Sequence, residues 1–287
     1  MRIAPALLAL LLAAPVAAQD APALETEDAT LGSAPVGDGR FHPIFTFDVR
    51  NGDISRGGYD DDGPNLDRVP FHAELGFAYE LSRDAQGEAN LFLVVASSNG
   101  FHSPRADERT SPRAWYESNS ILGLIAAPAQ GVRAGLAYTI KASPNGVSPT
   151  THELSATAAL DGERGLGALR PTLVATVRPK GGEGLFTGVG VEPEFATTGR
   201  EDGPTVSLPA KFGVGWGGFY EPGSGDLTYG SAGLAYSHPF EVGDTKWRLQ
   251  SELLAVIRDD TLRRLGDADA DRSTLVPLAT VSLSVSY

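Results

Sequence analysis

The chain of 287 residues carries 36 acidic and 23 basic side chains, a formal net charge of −13, and no cysteine. This acidic balance argues against a nucleic-acid-binding protein, because phosphates are bound through Lys and Arg. Since no disulfide can form, stability must come from a packed core or from closed strand pairing.

The beginning of the chain has the features of a secretory signal. A short basic start is followed by an apolar run from Ile3 to Val16, and Ala17-Ala18 ends it with the small residues of a signal-peptidase site. The run is too short for a membrane helix, which needs about 20 residues. We predict a cleaved signal peptide over 1–18, a flexible acidic leader over 19–40, and one domain over 41–287.

From Phe41 onward the hydrophobic pattern has a period of two. In the stretch 70–81, for example, Phe71 and Leu75 alternate with His72 and Glu74, the pattern of a strand with one apolar face. The same alternation predicts about 12 strands, with approximate spans 41–50, 70–81, 90–98, 115–126, 131–141, 152–160, 169–178, 185–195, 205–216, 227–237, 245–257 and 275–287.

Strand length and loop length favour a membrane barrel. Most of the predicted strands have about ten residues, which is what a tilted strand needs to cross a bilayer. The connections alternate between long and short, as in outer-membrane barrels with long exterior loops and short periplasmic turns. The predicted fold is therefore all-β, a single antiparallel transmembrane β-barrel of about 12 strands.

In each strand the apolar residues alternate with polar ones. We expect the apolar residues to face lipid and the polar residues to line the lumen. The residues expected to line the lumen are His72, Glu74, Glu117, Arg133, Lys141, Glu153, Arg170, Arg178, Glu192, Glu194, Lys211, Lys246, Arg248 and Glu252. Aromatic residues near the strand ends suit two interfacial girdles: Phe41, Phe71, Tyr79, Tyr116, Tyr138, Phe195, Trp216, Tyr236, Trp247 and Tyr287.

The last strand carries a resemblance to a known class. Val281, Leu283, Val285 and Tyr287 alternate with small polar residues and end on an aromatic ring. This resembles the final strand of Gram-negative outer-membrane β-barrels. The resemblance implies an assembly signal that the barrel assembly machinery reads, and a location in the bacterial outer membrane.

A narrower resemblance spans nearly the whole mature chain, which looks like an uncharacterised family of bacterial outer-membrane proteins of unknown function. The stretches that carry it are Ser55-Arg56-Gly57, Trp115-Tyr116-Glu117-Ser118, Ser143-Pro144-Asn145-Gly146 and His152-Glu153-Leu154. That family implies no activity.

Candidate chemistry is sparse. The stretch 97–103 brings Ser, Asn and His102 together in one expected loop. These are residue types of a hydrolase site, but a polar loop tip is the simpler interpretation. The histidines are scattered without His-x-x-x-His spacing, so no metal and no cofactor are predicted. Acidic clusters at 60–62 and 267–271 offer oxygen ligands to calcium, although solvated loops are the simpler interpretation.

The pattern favours a narrow passive channel for small polar solutes, or a structural barrel, because both signs of charge fall on the inward phase. Two alternatives remain: an outer-membrane lipid-modifying hydrolase that uses His102 or another histidine, and a soluble periplasmic β-barrel that binds a ligand. The expected partners are outer-membrane lipid, lipopolysaccharide, the assembly machinery and small polar solutes, with no nucleic acid.

Overall fold

The computed structural model describes residues 24–26, 29–31, 40–59, 69–83, 85, 89–104, 108, 110–200, 203–243, 245–265 and 273–286. The predicted signal peptide, most of the leader, both acidic clusters (60–62 and 267–271) and Tyr287 lie outside this part of the chain. Within the leader, Leu24–Thr26 pairs antiparallel with Ala29–Leu31.

Twelve antiparallel strands of the described chain form one closed sheet. They are β1 (Phe41–Arg50), β2 (Phe71–Arg83), β3 (Ala89–Phe101), β4 (Trp115–Ala129), β5 (Val132–Ala142), β6 (Thr151–Leu160), β7 (Thr172–Lys180), β8 (Leu185–Val191 and Glu194–Ala196), β9 (Thr205–Ser207 and Ala210–Trp216), β10 (Leu227–Val242), β11 (Thr245–Arg258) and β12 (Leu275–Ser286). Each strand pairs with its neighbours in sequence, and β12 pairs with β1. The predicted antiparallel barrel is confirmed.

Two of the strands are interrupted at facing prolines. The ladder of β8 breaks at Glu192-Pro193 and that of β9 at Leu208-Pro209. Proline has no N–H to donate, which weakens strand pairing at these two positions. The Leu208 N–H donates to the Pro193 carbonyl at 3.1 Å, which holds the two breaks together.

The strands alternate between a buried and an exposed face. In β4, Ile121 and Ile125 are buried, whereas Leu122 and Leu124 are exposed. Large apolar side chains cover the outer wall, among them Leu75, Leu136, Leu173, Phe212 and Leu253. Since many polar and charged residues are buried inside, the usual distribution is inverted, as expected of a barrel in lipid.

The aromatic residues follow the expected outward phase with one clear exception. Phe41, Phe71, Tyr79, Tyr138, Trp216 and Tyr236 are exposed on the wall. Tyr116 was expected among them, but its side chain is buried inside the barrel. The reason is a bulge in β4, described below.

The two ends of the barrel carry different connections. The connections 51–70, 102–114, 143–150, 181–184, 217–226 and 259–274 lie at one end, which we call the long-loop end. The connections 84–88, 130–131, 161–171, 197–204 and 243–244, which are shorter on average, lie at the opposite end, together with the start of β1 and the end of β12. We call it the short-loop end. In the described chain, no helix has the length and apolar character needed to span a membrane.

The barrel interior is packed with apolar side chains in two clusters. One lies on β1, β3, β4 and β5 and includes Ile44, Phe92 and Ile121. The other, at the long-loop end, combines Phe186 and Tyr229 of the wall with residues of the connections, such as Phe219 and Leu262. Connections therefore fold into the barrel at this end.

Candidate functional site

The first connection enters the barrel as a tight hairpin. Ile54–Ser55 pairs with Gly58–Tyr59, and the turn residues Arg56 and Gly57 both have positive φ, at 50° and 78°. Two consecutive positive φ angles are the geometry of a type I′ hairpin turn. We call residues 51–59 the plug segment, because its tip crosses the interior.

Arg56 at the hairpin tip reaches the far wall of the barrel. Its guanidinium donates two parallel hydrogen bonds to Glu153 on β6, with Nη1–Oε1 at 2.9 Å and Nη2–Oε2 at 2.8 Å. The two side chains are almost completely buried, with 3% and 1% of their area exposed. In a ring of twelve strands, β6 lies nearly opposite β1, so this ion pair joins the first connection to the far wall.

Further contacts surround this pair, and we call Arg56, Glu153 and Arg178 the Arg56 cluster. Arg178 Nε on β7 lies 2.9 Å from Glu153 Oε1. The Arg56 guanidinium carbon lies 5.3 Å from each of the Phe186 and Phe219 ring centroids, within cation–π range. A buried carboxylate held by two guanidinium groups and flanked by aromatic rings is well compensated for its desolvation.

The hairpin is also held through its backbone. The Tyr220 hydroxyl donates to the Arg56 carbonyl at 2.8 Å. A Cβ atom at Gly57 would lie 2.5 Å from Tyr229 Cβ and 3.2 Å from Leu262 Cδ2. Only glycine fits there, because the φ angle and the close approach both exclude a side chain.

A second polar cluster lies on the near wall, and its centre is His72. The imidazole Nδ1 is 3.2 Å from Asp48 Oδ1 on β1. Its Nε2 is 2.6 Å from the Tyr116 hydroxyl, 3.3 Å from Asp53 Oδ2 and 3.7 Å from Glu117 Oε2. The ring is thus held on both nitrogens by oxygen atoms of four residues from three segments, namely β1, the plug segment and β4.

Neighbouring charges extend this group, and we call the full set the His72 cluster: Asp48, Arg50, Asp53, His72, Glu74, Tyr116, Glu117 and Lys141. Arg50 donates two bonds to Asp48, at 2.6 and 3.1 Å, and one to Asp53 at 3.1 Å. Lys141 Nζ lies 3.8 Å from Glu117 Oε1. Glu74 Oε1 is buried without a hydrogen-bond partner.

Asp53 belongs to the plug segment, outside the strands. Burial by itself would raise the pKa of this carboxyl group, but His72, Arg50 and the Tyr116 hydroxyl hold the pKa below its usual value. The carboxylate therefore stays charged and binds the plug segment to the near wall. The plug segment is fixed at both walls, through Asp53 and through Arg56.

A bulge in β4 explains how Tyr116 and Glu117 both point inward. Phe101 pairs with Trp115 while Gly100 pairs with Glu117, so Tyr116 is the extra residue. A bulge re-aims side chains in this way, and it could not be read from a period of two. Gly100 lies between His72 and Glu117 in the sheet, and its lack of a side chain lets the two approach each other over it.

The predicted lumen-lining residues fall into several environments. His72, Glu74, Glu117 and Lys141 belong to the His72 cluster. Glu153 and Arg178 belong to the Arg56 cluster. Arg170 lies in the connection before β7, and there it contacts Asp161 and Glu194. Arg133 also contacts Asp161. These last residues form a group at the short-loop end.

The other predicted residues lie beside the break in β8 and on β9 and β11. Glu192 accepts a hydrogen bond from Ser207 at 2.7 Å, beside the break in β8. Lys211, Arg248 and Glu252 are half-buried on β9 and β11, and Lys246 is exposed near the end of β11. The expected assembly residues Val281, Leu283 and Val285 lie on β12 and pair with both β11 and β1.

The stretch that suggested a hydrolase is not a loop, because β3 continues to Phe101. His102 is buried just beyond the strand, with Nε2 at 3.2 Å from Glu108 Oε1 and its ring stacked on Tyr116. Ser98 is buried inside the barrel, whereas Ser97 receives a hydrogen bond from Asn99 on the other face. The stretch is thus divided between the two sides of the wall.

Sequence reasoning missed the residues that complete both clusters: Asp48, Arg50, Asp53, Arg56 and Tyr116. The first two share the inward phase of β1 with His42, so the alternation contained a signal for them. Arg56 was noticed within the stretch 55–57 but was given no role. For Asp53 and Tyr116 no periodic signal exists, because one lies in a connection and the other in a bulge.

Comparisons with known proteins show the class of the fold. No family model matches the sequence, and no curated protein resembles it. An outer-membrane channel from Pseudomonas putida F1 has a TM-score of 0.51 at 9% identity, over 88% of this chain and 97% of that one. LpxR from Salmonella typhimurium has a TM-score of 0.43 at 9% identity, over 84% and 99%.

At such identities the likeness to the Pseudomonas channel is a likeness of fold alone. The chain is a closed transmembrane β-barrel of the bacterial outer-membrane type. Its solved neighbours support a location in the bacterial outer membrane, in contact with membrane lipid.

Proposed function

We propose that this protein is a narrow passive channel for small polar solutes, whose bore is constricted by the plug segment. The observation that carries the proposal is the Arg56–Glu153 ion pair, which joins the first connection to the opposite wall. A segment that crosses the bore and is bound on both walls limits the passage to small solutes.

The charges around the plug segment support selection of polar solutes. On the near wall, the His72 cluster holds four carboxylates with Arg50 and Lys141. On the far wall, the Arg56 cluster holds two guanidinium groups and one carboxylate. Opposite signs across a narrow passage create a transverse field, which favours small polar solutes over apolar ones.

The long-loop end faces the exterior in this proposal, as in other outer-membrane barrels. Lipopolysaccharide is then the lipid around that end. The strand β12 with Val281, Leu283 and Val285 serves as the signal for the assembly machinery. Replacing these three residues by Ser, with Ser282→Thr as a control on the same strand, tests that role by the amount of folded protein in the outer membrane.

Swelling of liposomes that contain the purified protein tests the channel directly. We expect small sugars and amino acids to enter, and uptake to fall steeply with solute size. If no solute causes swelling, the channel proposal is wrong and the structural barrel is the remaining interpretation. Cleavage of purified lipopolysaccharide by the wild type, lost in His102→Ala, would instead support the hydrolase alternative.

A further inference from the structure

The centre of the His72 cluster has the geometry of a metal site. His72 Nε2, Asp53 Oδ2 and a Glu117 carboxylate oxygen all lie within 4.8 Å of one another. The distances from His72 Nε2 to the two carboxylate oxygens are 3.3 and 3.7 Å. Metal–ligand bonds of about 2.1 Å in a tetrahedron separate the ligands by roughly 3.4 Å. The three atoms thus stand at the spacing of ligands around one ion.

The other nitrogen of His72 is held in the way typical of metal-binding histidines. Nδ1 contacts the Asp48 carboxylate at 3.2 Å, and Asp48 is itself fixed by two hydrogen bonds from Arg50. A carboxylate on the second nitrogen sets the tautomer and leaves Nε2 facing the Asp53 and Glu117 carboxylates. This support is independent of the three ligand atoms.

The ligand set also suits a divalent cation in kind. Asp53 and Glu117 offer carboxylate oxygens and His72 offers an imidazole nitrogen, all three from buried side chains. Imidazole binds metals in its neutral form.

Two features of the sheet bring the ligand groups together. Gly100 separates His72 from Glu117 with no side chain, and a Cβ atom there would lie 2.6 Å from Tyr116 Cζ and 3.0 Å from His72 Nε2. The bulge at Tyr116 brings a phenol oxygen within 2.6 Å of the same nitrogen and 2.7 Å of Asp53 Oδ2. That hydroxyl is placed to become a fourth ligand or to donate a hydrogen bond to a ligand oxygen.

We propose that His72, Asp53 and Glu117 bind one divalent transition-metal ion, Zn²⁺ in the first instance, and thereby fasten the plug segment to the near wall. One imidazole and two carboxylates suit Zn²⁺ and neighbouring first-row ions better than Ca²⁺, which prefers six or more oxygens. The site stands on its own geometry and does not depend on the channel proposal.

Titration with Co²⁺ and Zn²⁺ tests the site. The full mature protein is refolded in detergent, stripped with EDTA and titrated with Co²⁺, whose visible spectrum reports coordination. We expect one Co²⁺ per chain, displaced by Zn²⁺. Asp53→Asn and His72→Ala should weaken binding at least about 100-fold, and Asp48→Asn about 10- to 100-fold, as the loss of an outer-shell carboxylate does.

His152→Ala is the matched control, since this histidine lies on β6 and contacts Tyr138 instead of the cluster. It should bind Co²⁺ like the wild type. Folding of every variant is checked by the shift of unboiled protein on a denaturing gel, and Asp53→Asn alters a connection rather than a strand. Absence of binding in the wild type, or equal binding in Asp53→Asn and the wild type, would overturn the proposal.

Discussion

Arg56 Nη2 lies 2.8 Å from Glu153 Oε2, and this pair joins the first connection to a strand on the far side of a twelve-stranded barrel. The first residue belongs to the connection after β1 and the second to β6 on the opposite wall. The pair gives the first connection a fixed place inside the long-loop half of the barrel. The predictions below follow from this pair and its surroundings.

Glu153→Gln should destabilise the barrel strongly. It leaves the guanidinium groups of Arg56 and Arg178 without the carboxylate that both contact. Loss of one partner from a buried ion pair costs about 3–5 kcal/mol. Urea unfolding in detergent micelles measures the change, and Glu163→Gln, at an exposed position in the connection before β7, should change stability by less than about 0.5 kcal/mol.

Gly57→Ala should release the plug segment. The new Cβ would lie 2.5 Å from Tyr229 Cβ at a φ of 78°, so the hairpin must move away from the wall. Trypsin should then cleave at Arg56 in folded protein, where the wild type resists. Gly165→Ala is the control, because that glycine also has positive φ but no neighbouring atom within 4 Å; resistance in both variants would argue against the docked hairpin.

Gly100→Ala should disturb the His72 cluster. The added Cβ would meet Tyr116 Cζ at 2.6 Å and His72 Nε2 at 3.0 Å. Overpacking of this kind costs about 1–3 kcal/mol. Gly230→Ala, on β10 with its nearest atom at 3.6 Å, should cost clearly less in the same unfolding assay. Equal losses in the two variants would mean that Gly100 gives no special space to the cluster.

Leu136→Arg should show which solvent surrounds the wall. Leu136 is exposed near the middle of β5, where the barrel faces hydrocarbon. A lipid-facing arginine at mid-depth costs about 2–4 kcal/mol. The control Leu166→Arg changes a leucine that is also exposed but lies outside the strands. The free energy of unfolding in lipid vesicles is measured for both variants. If Leu136→Arg leaves it unchanged, the wall does not face lipid at this position.

Much of the fold could be predicted from the sequence, because alternation of period two is a direct consequence of a wall with lipid outside. The spans of β1 and β4 to β6 were predicted to within a few residues. The strand predicted over 90–98 extends to Phe101, since the apolar and polar phases blur near Ser97-Ser98. The start predicted at 169 is displaced, because Gly167–Leu169 forms a 3₁₀ turn.

The candidate site was less accessible to sequence reasoning. Both clusters depend on contacts between strands that are distant in the chain, and on a connection whose path no periodicity describes. Yet the stretches that carried the family resemblance contain Arg56, Tyr116, Glu117 and Glu153, which all belong to these two clusters. Those stretches thus add Arg56 and Tyr116 to the inward residues that the alternation already predicted.

The most direct test of the central claim is single-channel conductance in a planar bilayer. The wild type is compared with a variant in which residues 54–59 are replaced by a short Gly-Ser linker. If the plug segment constricts the bore, the wild type will conduct weakly and the variant will conduct several-fold more. Equal conductance in the two proteins would contradict the account, because the bore would then be limited elsewhere.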